Sequence, residues 1–190
     1  EAVVEMLKAH DVEILFGLCG DTSLPFYDAL ARLPHGMRHV LTRDERSAAY
    51  MADGYARVSG KVGVCEGPSG GGATYILPGL AEANESSVPV FCINSDISVA
   101  SRGRYTLTAL DQGALMRPVT KWNTVLDRAQ DIPRVFRSAF NHMPTTRPGL
   151  RRPVAIASID SDEVFVARIA SGLTMPSRCA SSSRFAGSDW

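Results

Sequence analysis

The side chain best suited to chemistry in this sequence is the carboxyl group of Glu45, near the start of a segment of helical spacing that ends at Gly60. At that spacing Glu45 lies in one line with Ala49, Ala52 and Ala56. Because alanine is small, this helix can pack closely against another element, and Glu45 is predicted to lie in a crowded crevice that excludes water. A carboxyl group there can hold or share a proton near neutral pH. The alternative is an acidic residue that only complements the helix dipole.

A glycine-rich segment, residues 66–72, is the second candidate for binding chemistry. Its spacing excludes two phosphate-binding motifs, because Gly72 is not followed by a lysine and the position where a dinucleotide fingerprint needs glycine is Tyr75. Two interpretations stay open. The backbone amides after Gly70 could bind an anion at the start of a helix, or the glycines could simply permit a tight turn between a strand and a helix.

Other polar residues between the predicted elements are more typical of turns and helix caps than of catalysis: Asp21, Ser95, Asp96 and Asp111. No serine has the Gly-x-Ser-x-Gly spacing of a hydrolase, and the four histidines form no HExxH pair. The four cysteines are scattered without metal-ligand spacing, which favours reduced thiols in a cytoplasmic protein. The sequence therefore predicts no metal site in this chain.

Composition narrows the function classes further. The chain has 190 residues, of which 45% are hydrophobic, so one domain with a substantial core is expected. Twenty basic residues balance twenty acidic ones, and no basic run indicates binding to nucleic acid or to an anionic membrane. No apolar segment is long enough to cross a bilayer.

Short apolar segments alternate with segments of helical period along most of the chain. Strands are predicted at residues 12–17, 37–42, 61–65, 88–94, 122–126 and 153–159, and helices at residues 1–10, 23–33, 42–60, 73–84, 110–116 and 131–140. This alternation predicts a three-layer α/β fold, in which a parallel central sheet of about six strands is covered by helices on both faces.

Parallel sheets bind ligands beyond the carboxyl ends of their strands. The segments that follow the predicted strands are residues 19–22, 43–45, 66–72 and 95–96. All four are expected to converge on one edge of the sheet, which places Glu45 beside the glycine-rich segment.

The end of the chain has a different composition. Residues 158–190 lose the alternation and become rich in serine, arginine and alanine, a composition that buries little apolar surface. We therefore divide the chain into a domain at residues 1–157 and a loosely ordered tail at residues 158–190.

Taken together, these segments resemble the N-terminal pyrimidine-binding domain of thiamine-diphosphate enzymes of the acetolactate synthase/pyruvate oxidase family. The matching pieces follow in family order at residues 16–20 (FGLCG), 43–45 (RDE), 52–57 (ADGYAR), 67–74 (GPSGGGAT), 79–83 (GLAEA), 87–90 (SVPV), 120–122 (TKW) and 147–149 (RPG). The resemblance covers about residues 1–149. Its most specific part is Glu45 just before an alanine-rich helix that ends in ADGYAR.

The resemblance implies a role for Glu45. In this family the matching glutamate hydrogen-bonds a ring nitrogen of the cofactor's aminopyrimidine and favours the tautomer that removes a proton from the thiazolium carbon. Gly20, Ser69, Gly71 and Tyr75 match positions close to the aminopyrimidine or to the opposing domain, so the resemblance implies that they bind the cofactor.

Two departures from the family pattern affect the site. The common Gly-Pro-Gly-Ala-Thr-Asn is Gly-Gly-Gly-Ala-Thr-Tyr at residues 70–75, and the Phe-Gln-Glu near the substrate is replaced by Leu-Thr-Ala at residues 107–109. The following Asp111 and Gln112 match the family, which makes Gln112 the candidate substrate contact. The substrate pocket is expected to differ from that of a typical acetolactate synthase.

In this family a separate C-terminal domain with a Gly-Asp-Gly…Asn motif binds the diphosphate and its Mg²⁺, and this sequence contains no such motif. The resemblance therefore implies thiamine diphosphate as the cofactor, Mg²⁺ on a partner domain, and a small 2-keto acid as the substrate. The partner would be a homo-oligomer subunit or a companion chain. The chain is expected to be a fragment of a carboligase or decarboxylase, inactive alone. The alternatives are the small subunit of a two-chain decarboxylase and a noncatalytic remnant.

Overall fold

The structure is a computed structural model that describes residues 1–104, 106–143 and 155–160, the last of these as backbone apart from Ile159. The strands are β1 (Ile14–Gly17), β2 (Arg38–Leu41), β3 (Gly63–Gly67), β4 (Val90–Asp96), β5 (Trp122–Leu126) and β6 (Ala155–Asp160). The helices are α1 (Ala2–Ala9), α2 (Leu24–Arg32), α3 (Glu45–Ser59), α4 (Gly71–Tyr75), α5 (Leu77–Glu85), α6 (Gln112–Met116) and α7 (Ile132–His142). These bounds lie within a few residues of most of the predicted ones.

The strands form one sheet in the order β2-β1-β3-β4-β6-β5, and every neighbouring pair is parallel. The predicted α/β class, with a parallel sheet between helices, is confirmed. The chain runs from β1 to β2 on one side and then returns to place β3 on the other side of β1. The gap beyond the carboxyl ends of β1 and β3 is therefore a topological switch point, the usual place for a ligand in such a sheet.

Each face of the sheet has its own hydrophobic core. On one face α1, α2 and α7 pack over residues such as Leu15 and Val64. On the other face α3, α4 and α5 pack over Cys65 and Cys92, which are buried free thiols. Because side chains alternate along a strand, Val64 and Cys65 point to opposite layers.

The alanine stripe of α3 fits closely against its neighbours, as the sequence predicts. Ala49, Ala52 and Ala56 are at most 3% exposed. A Cβ atom on Gly63 of β3 would lie 2.0 Å from the carbonyl oxygen of Ala52, and one on Gly79 of α5 would lie 2.5 Å from the Cβ of Ala49. Small residues on both sides therefore hold α3 in the position that sets its first residue at the edge of the sheet.

Gly63→Ala is expected to lower the free energy of unfolding by about 3 kcal/mol, because the new methyl group overlaps backbone that cannot move without displacing α3. Gly54→Ala is the matched control within α3, since a Cβ atom there meets nothing within 4 Å. Alanine favours a helix over glycine by about 1 kcal/mol, so this variant should gain stability. Urea denaturation measures both, and equal values would contradict the close packing.

The helix predicted at residues 73–84 is wrong as a single element. The structure has α4 and α5 instead, with Ile76 between them. Pro78 lies in the first turn of α5, where its missing N–H costs nothing, whereas inside one long helix it would remove a hydrogen bond.

Ser23 precedes α2 but does not cap it. A short 3₁₀ turn, Asp21–Ser23, precedes α2, and the Ser23 hydroxyl makes no capping bond to that helix. The hydroxyl accepts a hydrogen bond from the Gly20 amide at 3.0 Å and donates to the Gly20 carbonyl oxygen at 3.1 Å. Ser23 therefore fixes the loop after β1 rather than the helix.

Part of the predicted organisation falls beyond the described residues. β6 ends at Asp160, and the rest of the predicted tail, residues 161–190, is not described, nor are residues 144–154. In the described part of the chain, no helix has both the length and the apolar character needed to cross a membrane.

Candidate functional site

Glu45 is the first residue of α3 and lies at the carboxyl edge of the sheet, just after β2. The Asp44 side chain caps the helix by accepting from the Arg46 amide at 2.8 Å, and it also pairs with the Arg46 guanidinium at 2.6 Å. Glu45 itself is 9% exposed, and its carboxyl group makes no hydrogen bond with any residue that the structure describes. A nearly buried carboxyl group is thus left with its hydrogen-bonding capacity unused.

The carboxyl group of Glu45 faces the glycine-rich segment after β3. A Cβ atom on Gly72 would lie 3.1 Å from the Glu45 Oε1 atom and 2.6 Å from the Pro68 ring. A Cβ atom on Gly20 would lie 2.6 Å from the Cβ of Pro68. The two glycines therefore leave room around Pro68 and Glu45 that any side chain would fill.

Ser69 anchors this segment. Its amide donates to the Thr22 hydroxyl at 3.0 Å, and its own hydroxyl donates to the Thr108 hydroxyl at 2.8 Å. Gly70 has φ +65°, and a Cβ atom there would lie 2.7 Å from the Thr108 Cβ, so this position needs glycine for two reasons. Loops after three different elements are thus tied together at one place.

A cavity of about 470 Å³ opens beside these loops and is lined by Gly20, Ser69, Gly71 and Gly72 among other residues. Three of the predicted cofactor-binding residues therefore meet at one surface. Glu45 does not line this cavity but contacts its wall at Gly72.

The other two predicted contacts lie elsewhere. Tyr75 is 57% exposed, and the Arg46 guanidinium lies 5.9 Å from the centre of its ring. Gln112 is 1% exposed, and its amide nitrogen donates to the Ser95 carbonyl oxygen at 2.9 Å and to Asp96 at 3.1 Å. Tyr75 faces outward and Gln112 supports the end of β4, so their roles toward ligands stay predictions.

Glu66 in β3 is a candidate that the sequence analysis missed. It is fully buried, and the Tyr27 hydroxyl donates to its Oε2 atom at 2.7 Å. Burial raises the pKa of Glu66 to about 8; the nearby hydroxyls of Tyr27, Ser23 and Ser95 oppose this, and the negative charge of Glu45 adds to it. The Glu66 Oε1 atom has no hydrogen-bond partner among the described residues. The sequence does contain a signal for Glu66, because it is a single acidic residue inside an otherwise apolar strand.

The titratable neighbours of Glu66 share its buried surroundings. Burial raises the pKa values of Tyr27 and Cys19, and an ionised Glu66 adds to this, so both groups stay protonated at neutral pH. His39 packs its ring edge-on against Tyr27 with 5.0 Å between ring centres, and burial lowers its pKa, which favours the neutral imidazole. No salt bridge joins Glu66 to a cation in the described part of the chain.

Residues 1–115 match the family model of the thiamine pyrophosphate enzyme, N-terminal TPP binding domain. The chain belongs to this family. The matched range contains Glu45 and the other predicted site residues, and it also includes Glu66. The resemblance inferred from the sequence is confirmed.

Curated relatives of the chain include acetolactate synthases. The chain is 44% identical to a probable acetolactate synthase large subunit of Methanococcus aeolicus, over 78% of this chain and 24% of that protein. It is 40% identical to an acetolactate synthase of Mycobacterium leprae over the same shares, and 35% identical to an acetolactate synthase large subunit of Lactococcus lactis over 86% of this chain and 29% of that protein. The chain therefore spans about a quarter of the length of these relatives.

Proposed function

We propose that this chain is the pyrimidine-binding part of a thiamine-diphosphate-dependent carboligase or decarboxylase that acts on 2-keto acids. The observation that carries the proposal is the carboxyl group of Glu45, which is 9% exposed and has no hydrogen-bond partner among the described residues. A carboxyl group that is mostly enclosed, yet has no hydrogen-bond partner within its own chain, is available to bind a ligand. A heterocyclic nitrogen that can share a proton would be a suitable partner.

The surroundings of Glu45 fit a flat ring. Gly20 and Gly72 lack the side chains that would otherwise fill the space around Pro68, and a Cβ atom on Gly71 would meet nothing within 4 Å. The segment thus offers backbone rather than side chains to a ligand, which allows close approach.

When bound, thiamine diphosphate supplies the carbon nucleophile and the electron sink that 2-keto acid chemistry requires. Glu45 would hold a proton at a ring nitrogen, and Gly20, Ser69 and Gly71 would bound the pyrimidine. The low exposure of Glu45 excludes most water from this hydrogen bond and strengthens it.

The names of the curated relatives favour a carboligase that forms acetolactate over a simple decarboxylase. The diphosphate and Mg²⁺ would bind to a partner domain, in a homo-oligomer or in a companion chain of a two-chain enzyme. Placement in the cytoplasm is supported by the buried free thiols of Cys65 and Cys92.

Nuclear magnetic resonance of the ¹⁵N-labelled chain tests the proposal by separating the two halves of the cofactor. Thiamine, which carries the pyrimidine without the diphosphate, is expected to shift the amide signals of Gly20, Glu45, Gly71 and Gly72. Pyrophosphate alone is expected to shift none of them at the same concentration. If pyrophosphate shifted the glycine signals at lower concentration than thiamine, the segment would be a phosphate site and the proposal would be wrong.

A further inference from the structure

We propose that Glu66 is a positioning residue of this site. Its carboxyl group stays neutral, so that Glu45 is the charged carboxyl group at this edge of the sheet. The inference rests on the proposed function, because Glu66 would act on a ligand only through Glu45. It assigns a second carboxyl group to a site for which the sequence indicated one.

The topology brings the two carboxyl groups to the same edge. Glu66 pairs in register with Gly17 of β1 and Ile93 of β4, so it lies at the switch point between β1 and β3. Its side chain shares a face with Val64, two residues earlier, and reaches the α2 layer. Glu45 comes to the edge from α3, which packs on the opposite face.

The contacts of Glu66 show a built arrangement rather than a chance burial. The Tyr27 hydroxyl lies 2.7 Å from the Glu66 Oε2 atom, and both atoms occupy space that a side chain at position 17 would need. A Cβ atom on Gly17 would lie 2.4 Å from the Tyr27 hydroxyl oxygen and 3.1 Å from the Glu66 Oε2 atom. Glycine at this position therefore makes room for the hydrogen-bonded pair.

Burial without a cation nearby favours the protonated form of Glu66. Glu66 is fully buried with no ion-pair partner among the described residues, whereas Glu45 is slightly exposed and lies in the first turn of α3, where the dipole favours a negative charge. The titratable groups that interact with Glu66 are Tyr27 from α2, Cys19 from the loop after β1, Cys92 from β4 and Glu45 itself, and none of them is a cation at neutral pH. Burial is therefore the main reason that Glu66 keeps a proton, and the like charge of Glu45 adds to it.

The experiment is a pH titration of the side-chain carboxyl carbons by ¹³C nuclear magnetic resonance on the whole chain without ligand. In the wild type the Glu66 signal is expected to titrate near pH 8. In Glu45→Gln the midpoint should fall by about 0.5 to 1 pH unit, because a like charge has been removed. In Tyr27→Phe it should rise, because the ionised carboxylate loses a hydrogen bond.

Glu5→Gln is the control, since it removes the same charge from an exposed first-turn position of α1 and should leave the Glu66 midpoint unchanged. A Glu66 midpoint near its ordinary value of 4.5, or one that Glu45→Gln does not move, would overturn the proposal. A purely structural Glu66 would show the second of these results. The pH titration contains no ligand. Either of these results can therefore be distinguished from a failure of thiamine to bind, which would test the proposed function.

Discussion

Glu45→Gln is expected to weaken thiamine binding by about 10- to 100-fold without unfolding the chain. A hydrogen bond that involves a charged group contributes about 1.5–3 kcal/mol, and glutamine keeps the size of the side chain but cannot hold or release a proton. The Glu45 carboxyl group has no other partner among the described residues, so this loss should appear almost entirely in the ligand affinity. Titration calorimetry or amide shifts at pH 7 would measure it.

Measurements of stability and ligand affinity together separate this role from the simpler explanation of Glu45. If Glu45 only complemented the dipole of α3, glutamine would cost up to about 1 kcal/mol of stability and would leave ligand affinity unchanged. If Glu45 is kept for a ligand, glutamine should lower ligand affinity and should change the free energy of unfolding by no more than this dipole contribution. Glu5→Gln provides the comparison, because it makes the same change in the first turn of α1 at an exposed position.

The position of Glu45 could be predicted because it depends on local patterns. The helical spacing of residues 45–59 and the small size of Ala49 and Ala52 are visible in the sequence, and they determine which face of α3 packs inward. The alternation of strands and helices similarly determined the α/β class. Since parallel strands share the direction of their carboxyl ends, the loops near Glu45 had to meet at one edge.

The surroundings of Glu66 could not be predicted in the same way. Its hydrogen-bond partner Tyr27 lies 39 residues earlier in the chain, and the two meet only because β3 pairs with β1 rather than with β2. Nothing in the local sequence gives that strand order. The same limit applies to Gln112, whose bonds to Ser95 and Asp96 depend on how α6 packs against the end of β4.

The stability of the folded chain is expected to depend on pH through Glu66. Because the pKa of Glu66 is raised in the folded chain, stability should fall as the pH rises. Below about pH 4.5, Glu66 is protonated in both the folded and the unfolded chain, and its contribution to folding stability is fully present. Between about 4.5 and about 8 only the folded chain holds it, so a rise in pH favours unfolding until the contribution is lost above about 8. At about 1.4 kcal/mol per pH unit, the loss over this window is at most roughly 5 kcal/mol.

Glu66→Gln removes this titration while it keeps an oxygen that can accept from the Tyr27 hydroxyl. Urea unfolding at pH 5, 6.5 and 8 should show a falling free energy of unfolding for the wild type and a much flatter profile for the variant. His10 and His39 act in the opposite direction near pH 6.5, because burial lowers their pKa values, but both proteins contain them and the difference cancels their effect. A constant difference between wild type and variant would mean that folded Glu66 is already ionised at pH 5. In that case Glu66 could not be the group that keeps the proton, and its proposed action on Glu45 would fail with it.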